Sequence, residues 1–147
     1  MLPLEAVPNF SEGRDRATID ALAGALDAHA RLLDVHADAD HNRSVFTLVG
    51  SEEELADALL AAAAVAVERI DLARHEGVHP RIGAVDVVPL VPLVPADMPR
   101  ARRTAELVGR RLAAELELPV FLYDPPARGP AFYRRGGSDE LRRRLAA

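Results

Sequence analysis

Residues 44–70 read SVFTLVGSEEELADALLAAAAVAVERI, and this stretch carries the strongest secondary-structure pattern in the chain. Its first part alternates like a β-strand, with Phe46 and Leu48 on one face and valine and threonine side chains on the other. Ser51 and Glu54 then have the spacing of a capping box, in which each side chain accepts a hydrogen bond from the backbone N–H of the other. The stretch therefore predicts a strand that is followed directly by a helix.

Weaker patterns on both sides of this stretch predict the remaining elements. In chain order we expect a strand over 4–10, a helix over 14–29, strands over 31–35 and 44–49, a helix from 51 to 75–77, a strand over 84–94, a helix over 99–115, a strand over 119–123 and a short helix from about 138. The first six elements have the β-α-β-β-α-β order of the split βαβ plan. We therefore predict an α+β fold, a two-layer ferredoxin-like sandwich with its helices on one face of the sheet.

Composition restricts the class of protein. The chain has 147 residues, of which 49% are apolar and 28% are charged, a balance typical of one folded domain over 1–147. Cysteine is absent, which excludes disulfides, thiolate metal sites and cysteine nucleophiles. No apolar run approaches the ~18 residues of a membrane helix, and no secretory signal is visible, so we expect a cytoplasmic protein without membrane contact. The net charge of -5 predicts no nucleic-acid partner.

Residues 75–79 read HEGVH and match the zinc-protease signature H-E-x-x-H. That signature needs a helix that continues through both histidines, whereas Gly77 weakens a helix and Pro80 disfavours helical geometry at the residue before it. Residues 38–42, which read DADHN, resemble the start of a calcium loop but lack its later glycine and glutamate. We therefore predict no metal site, and a zinc hydrolase remains a remote alternative.

Histidine must carry any acid–base chemistry near neutral pH. His79 lies between the glycine turn at Gly77 and the Pro80–Arg81 pair, so it cannot belong to a regular helix. From the residues alone, His79 can be either a proton-transfer group in a cleft or an ordinary surface histidine.

Four ordered segments resemble a known family. They are VPNFSEGR at 7–14, DHNRSVFTLVG at 40–50, HEGVHPRIGAVD at 75–86 and VFLY at 120–123. Together they resemble the amino-terminal subdomain of glutamate formimidoyltransferase, the transferase half of formiminotransferase-cyclodeaminase, over about residues 3–145. The resemblance implies a ferredoxin-like subdomain, tetrahydrofolate as co-substrate, no metal, and transfer of a formimino group between glutamate and N5 of tetrahydrofolate.

The same resemblance implies roles for particular residues. His79 matches the family's catalytic histidine and is expected to act as general acid and base. Arginine side chains and Asn42 are expected to bind the carboxylates of glutamate or folate, because guanidinium groups bind carboxylates bidentately. His36 stands where the family has an acidic substrate-binding residue, with Asp38 and Asp40 as alternative acidic residues in the same hairpin. The expected substrate-binding residues are Arg81, Asn42, Arg43, Asn9, Ser11, Glu12 and His36.

The resemblance also implies what the chain works with. In the family, the active site lies between this subdomain and a second one, so the expected partner is a complementary C-terminal subdomain chain or a second copy in a homo-oligomer. The expected ligands are folate and formiminoglutamate or glutamate. A non-catalytic folate-binding or protein-interaction module on the same scaffold remains an alternative to the transferase.

Overall fold

The computed structural model describes residues 1–71 and 83–123. These residues form an α+β fold that contains an antiparallel sheet and three helices. The elements are β1 (Leu4–Ala6), β2 (Asn9–Phe10), α1 (Arg16–Asp27), β3 (Arg31–Asp38), β4 (Arg43–Gly50), α2 (Glu52–Arg69), β5 (Val85–Val87), β6 (Leu90–Pro92), a 3₁₀ turn (Pro95–Asp97) and α3 (Met98–Leu116). None of the helices in these two ranges is both long and apolar enough to cross a membrane.

Strand β4 organises the sheet. On one side it pairs with β3, and on the other it pairs with β2 near its start and with β1 near its end. Strands β1 and β2 act as one strand interrupted at Pro8, which has no N–H, although the Pro8 carbonyl still accepts from the Phe46 N–H at 3.1 Å. The outer pair β5 and β6 lies against β2 and β1. The strands therefore lie in the order β3, β4, β1 with β2, and β6 with β5.

The core lies between the sheet and the helices. Phe46 and Leu48 on β4 are fully buried, and the ring of Phe46 meets that of Phe10 edge to face at 5.5 Å. The same apolar cluster includes the inward residues of all three helices. Helix α2 packs between α1 and α3, and its alanine-rich side permits close approach.

A side-chain cap is present at the start of each of the first two helices. Asp15 accepts from the Ala17 N–H at 3.2 Å at the start of α1. The predicted capping box of α2 is present, with Ser51 and Glu54 bonded reciprocally at 3.0 and 3.2 Å. Both reciprocal bonds satisfy backbone donors that the first turn of a helix leaves without intrahelical partners.

Arg100 connects the starts of two helices. Its guanidinium, at the beginning of α3, bonds Glu52 at 2.6 Å, Asp97 at 3.2 Å and the Leu2 carbonyl at 3.0 Å. Hydrogen bonds from Arg100 lower the pKa of the Glu52 carboxyl and keep it ionised. This nearly buried arginine therefore ties α3 to α2 and to the amino-terminal segment.

The predicted α+β class is confirmed, whereas two predicted element ends and one predicted strand are wrong. Strand β3 continues to Asp38 because β4 pairs with it up to the hairpin turn. Helix α2 ends at Arg69, where Ile70 takes an extended backbone, rather than at 75–77. Residues 117–123 form no strand, although a strand was expected over 119–123. The helix expected from about 138 lies outside the described residues.

Candidate functional site

Most of the candidate residues that the structure describes lie at the end of the sheet where two loops meet. We call this region the loop junction; it comprises the β2–α1 loop (11–15), the hairpin loop with its flanking residues (38–43), and residues 83–84. Ser11 is 1% exposed, and its Oγ donates to the Gly83 carbonyl at 2.7 Å. The Ser11 N–H donates to the Ala84 carbonyl at 2.9 Å. Ser11 therefore fixes the β2–α1 loop to the chain that leads into β5.

Asn42 fixes the same loop to the hairpin. Its side chain is nearly buried, and Oδ1 accepts from the Gly13 N–H at 2.8 Å. Asn42 has a φ of 51°, a left-handed conformation that asparagine tolerates better than most residues. A Cβ on Gly13 would collide with the Asp38 carbonyl oxygen and lie 2.5 Å from the Arg43 nitrogen. Glycine is required at position 13 because two backbones pack directly together there.

Glu12 is used by its own loop. Its Oε2 accepts from the N–H groups of Arg14 at 3.0 Å and Asp15 at 3.1 Å, just ahead of α1. The Arg14 side chain donates from Nε to the Ala39 carbonyl in the hairpin at 2.7 Å. Both contacts shape the loop junction, so the structure shows a loop-building role for the Glu12 carboxylate.

Asn9 and His36 lie in one row on the sheet face that points away from the helices. Both are opposite Val45 in the register, Asn9 on β2 and His36 on β3. Asn9 is nearly buried and its Nδ2 donates to the Val7 carbonyl at 2.9 Å, bridging the interruption at Pro8. His36 is exposed on the outer strand. Arg43 begins β4 and pairs with Asp38 at the end of β3.

The hairpin also contains an acid–histidine pair that sequence reasoning missed. Asp38 Oδ2 lies 2.6 Å from His41 Nδ1, and Oδ1 accepts from the N–H groups of Asp40 at 2.9 Å and His41 at 3.1 Å. These bonds, chiefly the one from the His41 backbone, lower the pKa of the Asp38 carboxyl. The D-x-x-H spacing is compatible with this pair but does not by itself predict it. The sequence compares this stretch with a calcium loop and offers Asp38 as an alternative acidic substrate-binding residue, whereas in the structure Asp38 accepts hydrogen bonds from the turn itself.

The structure therefore gathers Asn9, Ser11, Glu12, Asn42 and Arg43 around one end of the sheet, with His36 beside them. His79 and Arg81, together with the HEGVH segment, lie outside the described residues. Across residues 1–71 and 83–123, no three histidine, aspartate or glutamate side chains converge as they would around a metal ion. The loop junction is thus the candidate site, with amide, guanidinium and carboxylate groups suited to anionic and amino-acid ligands.

Comparison with known proteins shows the family. Residues 3–144 match the model of the formiminotransferase domain, N-terminal subdomain. The chain is 46% identical over 127 residues to formimidoyltransferase-cyclodeaminase of Gallus gallus. The aligned region covers 85% of this chain and 24% of that protein. It is 43% identical over 129 residues to glutamate formimidoyltransferase of Thermoplasma acidophilum. That alignment covers 86% of this chain and 43% of that protein.

A third relative, glutamate formimidoyltransferase of Streptococcus pyogenes serotype M1, is 41% identical over 129 residues, with 86% of this chain and 43% of that protein covered. The chain thus spans less than half the length of these curated relatives. With the family model matched over nearly all of its length, the chain belongs to the formiminotransferase family and corresponds to its N-terminal subdomain.

Proposed function

We propose that this chain supplies one half of a glutamate formimidoyltransferase site, which transfers a formimino group between glutamate and tetrahydrofolate. The observation that carries the proposal is the family match over residues 3–144, together with two relatives named glutamate formimidoyltransferase. The proposal treats 1–147 as one domain with a ferredoxin-like sandwich. The strand order β3, β4, β1 with β2, and β6 with β5 supports that architecture.

His79 is the proposed general acid and base. In the transfer, N5 of tetrahydrofolate attacks the amidine carbon of formiminoglutamate and forms a C–N bond, and the C–N bond to the glutamate nitrogen then breaks. One proton leaves the attacking nitrogen and one reaches the leaving nitrogen, so atoms and charge balance. A neutral imidazole can accept the first proton and return it in the second step.

Chain connectivity supports the association of His79 with the loop junction. Gly83 is only four residues beyond His79, and four residues span at most about 14 Å when fully extended. Ser11 holds the Gly83 carbonyl against the β2–α1 loop. The proposed proton-transfer group, His79, is therefore tethered within about 14 Å of Gly83, which lies beside the substrate-binding candidate Ser11.

The proposed substrate-binding groups follow from their chemistry. Arg43 and Arg81 are proposed to bind the carboxylates of glutamate or folate as bidentate forks, and Asn42 to hold the substrate through its amide. Asn9, Ser11, Glu12 and His36 are proposed to line the same cleft. Tetrahydrofolate is the proposed co-substrate, and the proposed chemistry uses no metal.

A complementary partner is part of the proposal. The face of the sheet that points away from the helices carries four valines in two cross-strand rows, one with Val45 and Val87 on either side of Asn9 and one with Val49 and Val91 on either side of Glu5. All four are only half-buried by this chain, and the apolar area that stays accessible favours a further layer of protein over this face. We propose that a complementary subdomain, on a second chain or a second copy, covers it and completes the cleft.

The decisive experiment measures transfer from formiminoglutamate to tetrahydrofolate, with the chain alone and with the product of an adjacent reading frame co-expressed. We expect turnover that falls at least 100-fold in His79→Ala, the size typical of a lost acid–base group. His29→Ala is the matched control, since His29 is exposed beyond α1 at the opposite end of the sheet. Circular dichroism checks that both variants fold.

Other outcomes decide between the alternatives. Folate binding without turnover in either setting would support the non-catalytic module, and neither binding nor turnover would overturn the proposed function. Metal analysis of the purified chain tests the zinc alternative that HEGVH suggests. Zinc near one equivalent per chain would favour a hydrolase, and a metal-free chain with full transfer activity would eliminate it.

A further inference from the structure

The hairpin loop is shaped by one carboxylate. Asp38 accepts three hydrogen bonds, two from backbone N–H groups of the turn and one from the His41 ring. An ionised carboxylate can only accept, so His41 must carry its ring proton on Nδ1 to make this bond. Both side chains are about one-third to two-fifths exposed, so the pair lies at the rim of the loop junction rather than in the core.

The next residue depends on that turn. Asn42 directly follows the turn and has a left-handed backbone, a conformation that asparagine adopts more readily than most residues. Its side chain accepts from the Gly13 N–H, and Gly13 itself packs against the backbone of Asp38 and Arg43. The Asp38–His41 pair is therefore one end of a continuous set of contacts that runs through Asn42 to the β2–α1 loop.

Charged groups surround the pair on the adjoining elements that the structure describes. Asp40 is in the same turn, Arg43 is paired with Asp38 across the strands, and Arg14 bonds the Ala39 carbonyl from the β2–α1 loop. Glu12 lies in that loop and accepts from its backbone. A turn without an internal acceptor for its N–H groups would have to rearrange within this crowded set of charges.

We propose that Asp38 and His41 are positioning residues that preset Asn42 and Arg43 to bind the carboxylate of the amino-acid substrate. This inference rests on the proposed function and adds to it the residues that organise the substrate-binding hairpin. Neither residue takes part in proton transfer here. Their effect is that binding does not have to order the turn, because folding has already ordered it.

The test compares three variants of the full chain, each co-expressed with its complementary chain. Each is titrated with formiminoglutamate. Asp38→Ala removes all three bonds. We expect the affinity for formiminoglutamate to fall about tenfold and its KM to rise by the same factor, while kcat changes less than twofold. Asp38→Asn keeps an oxygen for the two backbone donors and an amide N–H that can donate to His41 Nδ1 in the other ring tautomer, so it should restore most of the affinity. Asp34→Ala is the matched control, because Asp34 is an exposed aspartate on the same strand.

Amide hydrogen exchange gives a second measurement that does not depend on activity. In Asp38→Ala, exchange at the Asp40, His41 and Gly13 amides should accelerate while the melting temperature stays close to that of the wild type. Equal affinity of Asp38→Ala and wild type would overturn the inference, and so would a loss that Asp38→Asn shares in full. A wild type that neither binds formiminoglutamate nor turns over would overturn the proposed function, whereas a wild type that binds it normally leaves the variants to decide the inference.

Discussion

Two buried serines allow the stability contribution of a side-chain hydrogen bond to be measured. Ser11 donates from Oγ to the Gly83 carbonyl, whereas the Ser44 hydroxyl is fully buried on β4 and meets no hydrogen-bond partner within the described ranges. Replacing either serine with alanine removes the same single oxygen atom from a buried site. The comparison of Ser11→Ala with Ser44→Ala therefore cancels the change in side-chain volume and leaves the difference in hydrogen bonding.

The expected magnitudes follow from that difference. Ser11→Ala loses a bond worth about 1 kcal/mol and leaves the half-buried Gly83 carbonyl without this partner, so the free energy of unfolding should fall by about 1–2 kcal/mol. Ser44→Ala removes a hydroxyl whose burial without a partner is unfavourable, so the free energy of unfolding should stay level or rise by up to about 1 kcal/mol. The two variants should then differ by about 2 kcal/mol, or roughly 4–8 °C in melting temperature for a chain of this size.

Urea unfolding followed by circular dichroism at fixed pH measures both variants against the wild type. Slopes with urea that match the wild type would show that only stability has changed. A loss of stability in Ser44→Ala as large as that in Ser11→Ala would refute the reasoning, because it would mean that the Ser44 hydroxyl is satisfied in the folded protein.

Three further predictions concern the backbone and the charges. Gly13→Ala should unfold the loop junction or lower the free energy of unfolding by at least about 2 kcal/mol, because the added Cβ collides with Asp38. Gly24→Ala should raise the free energy of unfolding by about 1 kcal/mol, because Gly24 is exposed within α1 and has open space around it. Urea unfolding checks both, and a stable Gly13→Ala would contradict the packing. Glu117→Gly should raise the melting temperature, since Glu117 ends α3 with a φ of 55° that glycine adopts without strain at a gain of about 1 kcal/mol; an unchanged or lower value would argue against that conformation. Because Arg100 lowers the pKa of Glu52, the stability that Glu52 contributes is present above its ordinary pKa of 4.5 and is lost as the pH falls through its pKa in the folded protein. Glu52→Gln should therefore flatten the acid limb of a curve of stability against pH. An unaltered limb would count against the ion pair.

Local chemistry explains what could be predicted from sequence. The alternation of β4 and the capping box of α2 were both predictable because each depends on residues no more than four positions apart. The strand expected over 119–123 failed for the same reason. Its apolar residues fit a strand locally, but the chain turns back at Glu117 and brings Val120 and Leu122 against α3 at Gly109.

The candidate site shows the opposite case. Asn42 and Ser11 were identified from the sequence as substrate-binding candidates, but their buried partners lie 29 and 72 positions away along the chain, at Gly13 and Gly83. The Asp38–His41 pair is only three residues apart, yet a loop has no period from which its geometry could be predicted.

The sequence by itself determined the family, the α+β class and the helix and strand that follow each other at the centre of the chain, because short-range periodicity, capping and ordered motifs are properties of neighbouring residues. Only the tertiary structure decided that β1 and β2 form one interrupted strand, that Arg100 joins two helix starts, and that the hairpin and the β2–α1 loop meet backbone to backbone at Gly13. The physical reason is that each of these contacts is made between groups far apart in sequence, and burial and hydrogen bonding select among such partners only when the whole chain packs.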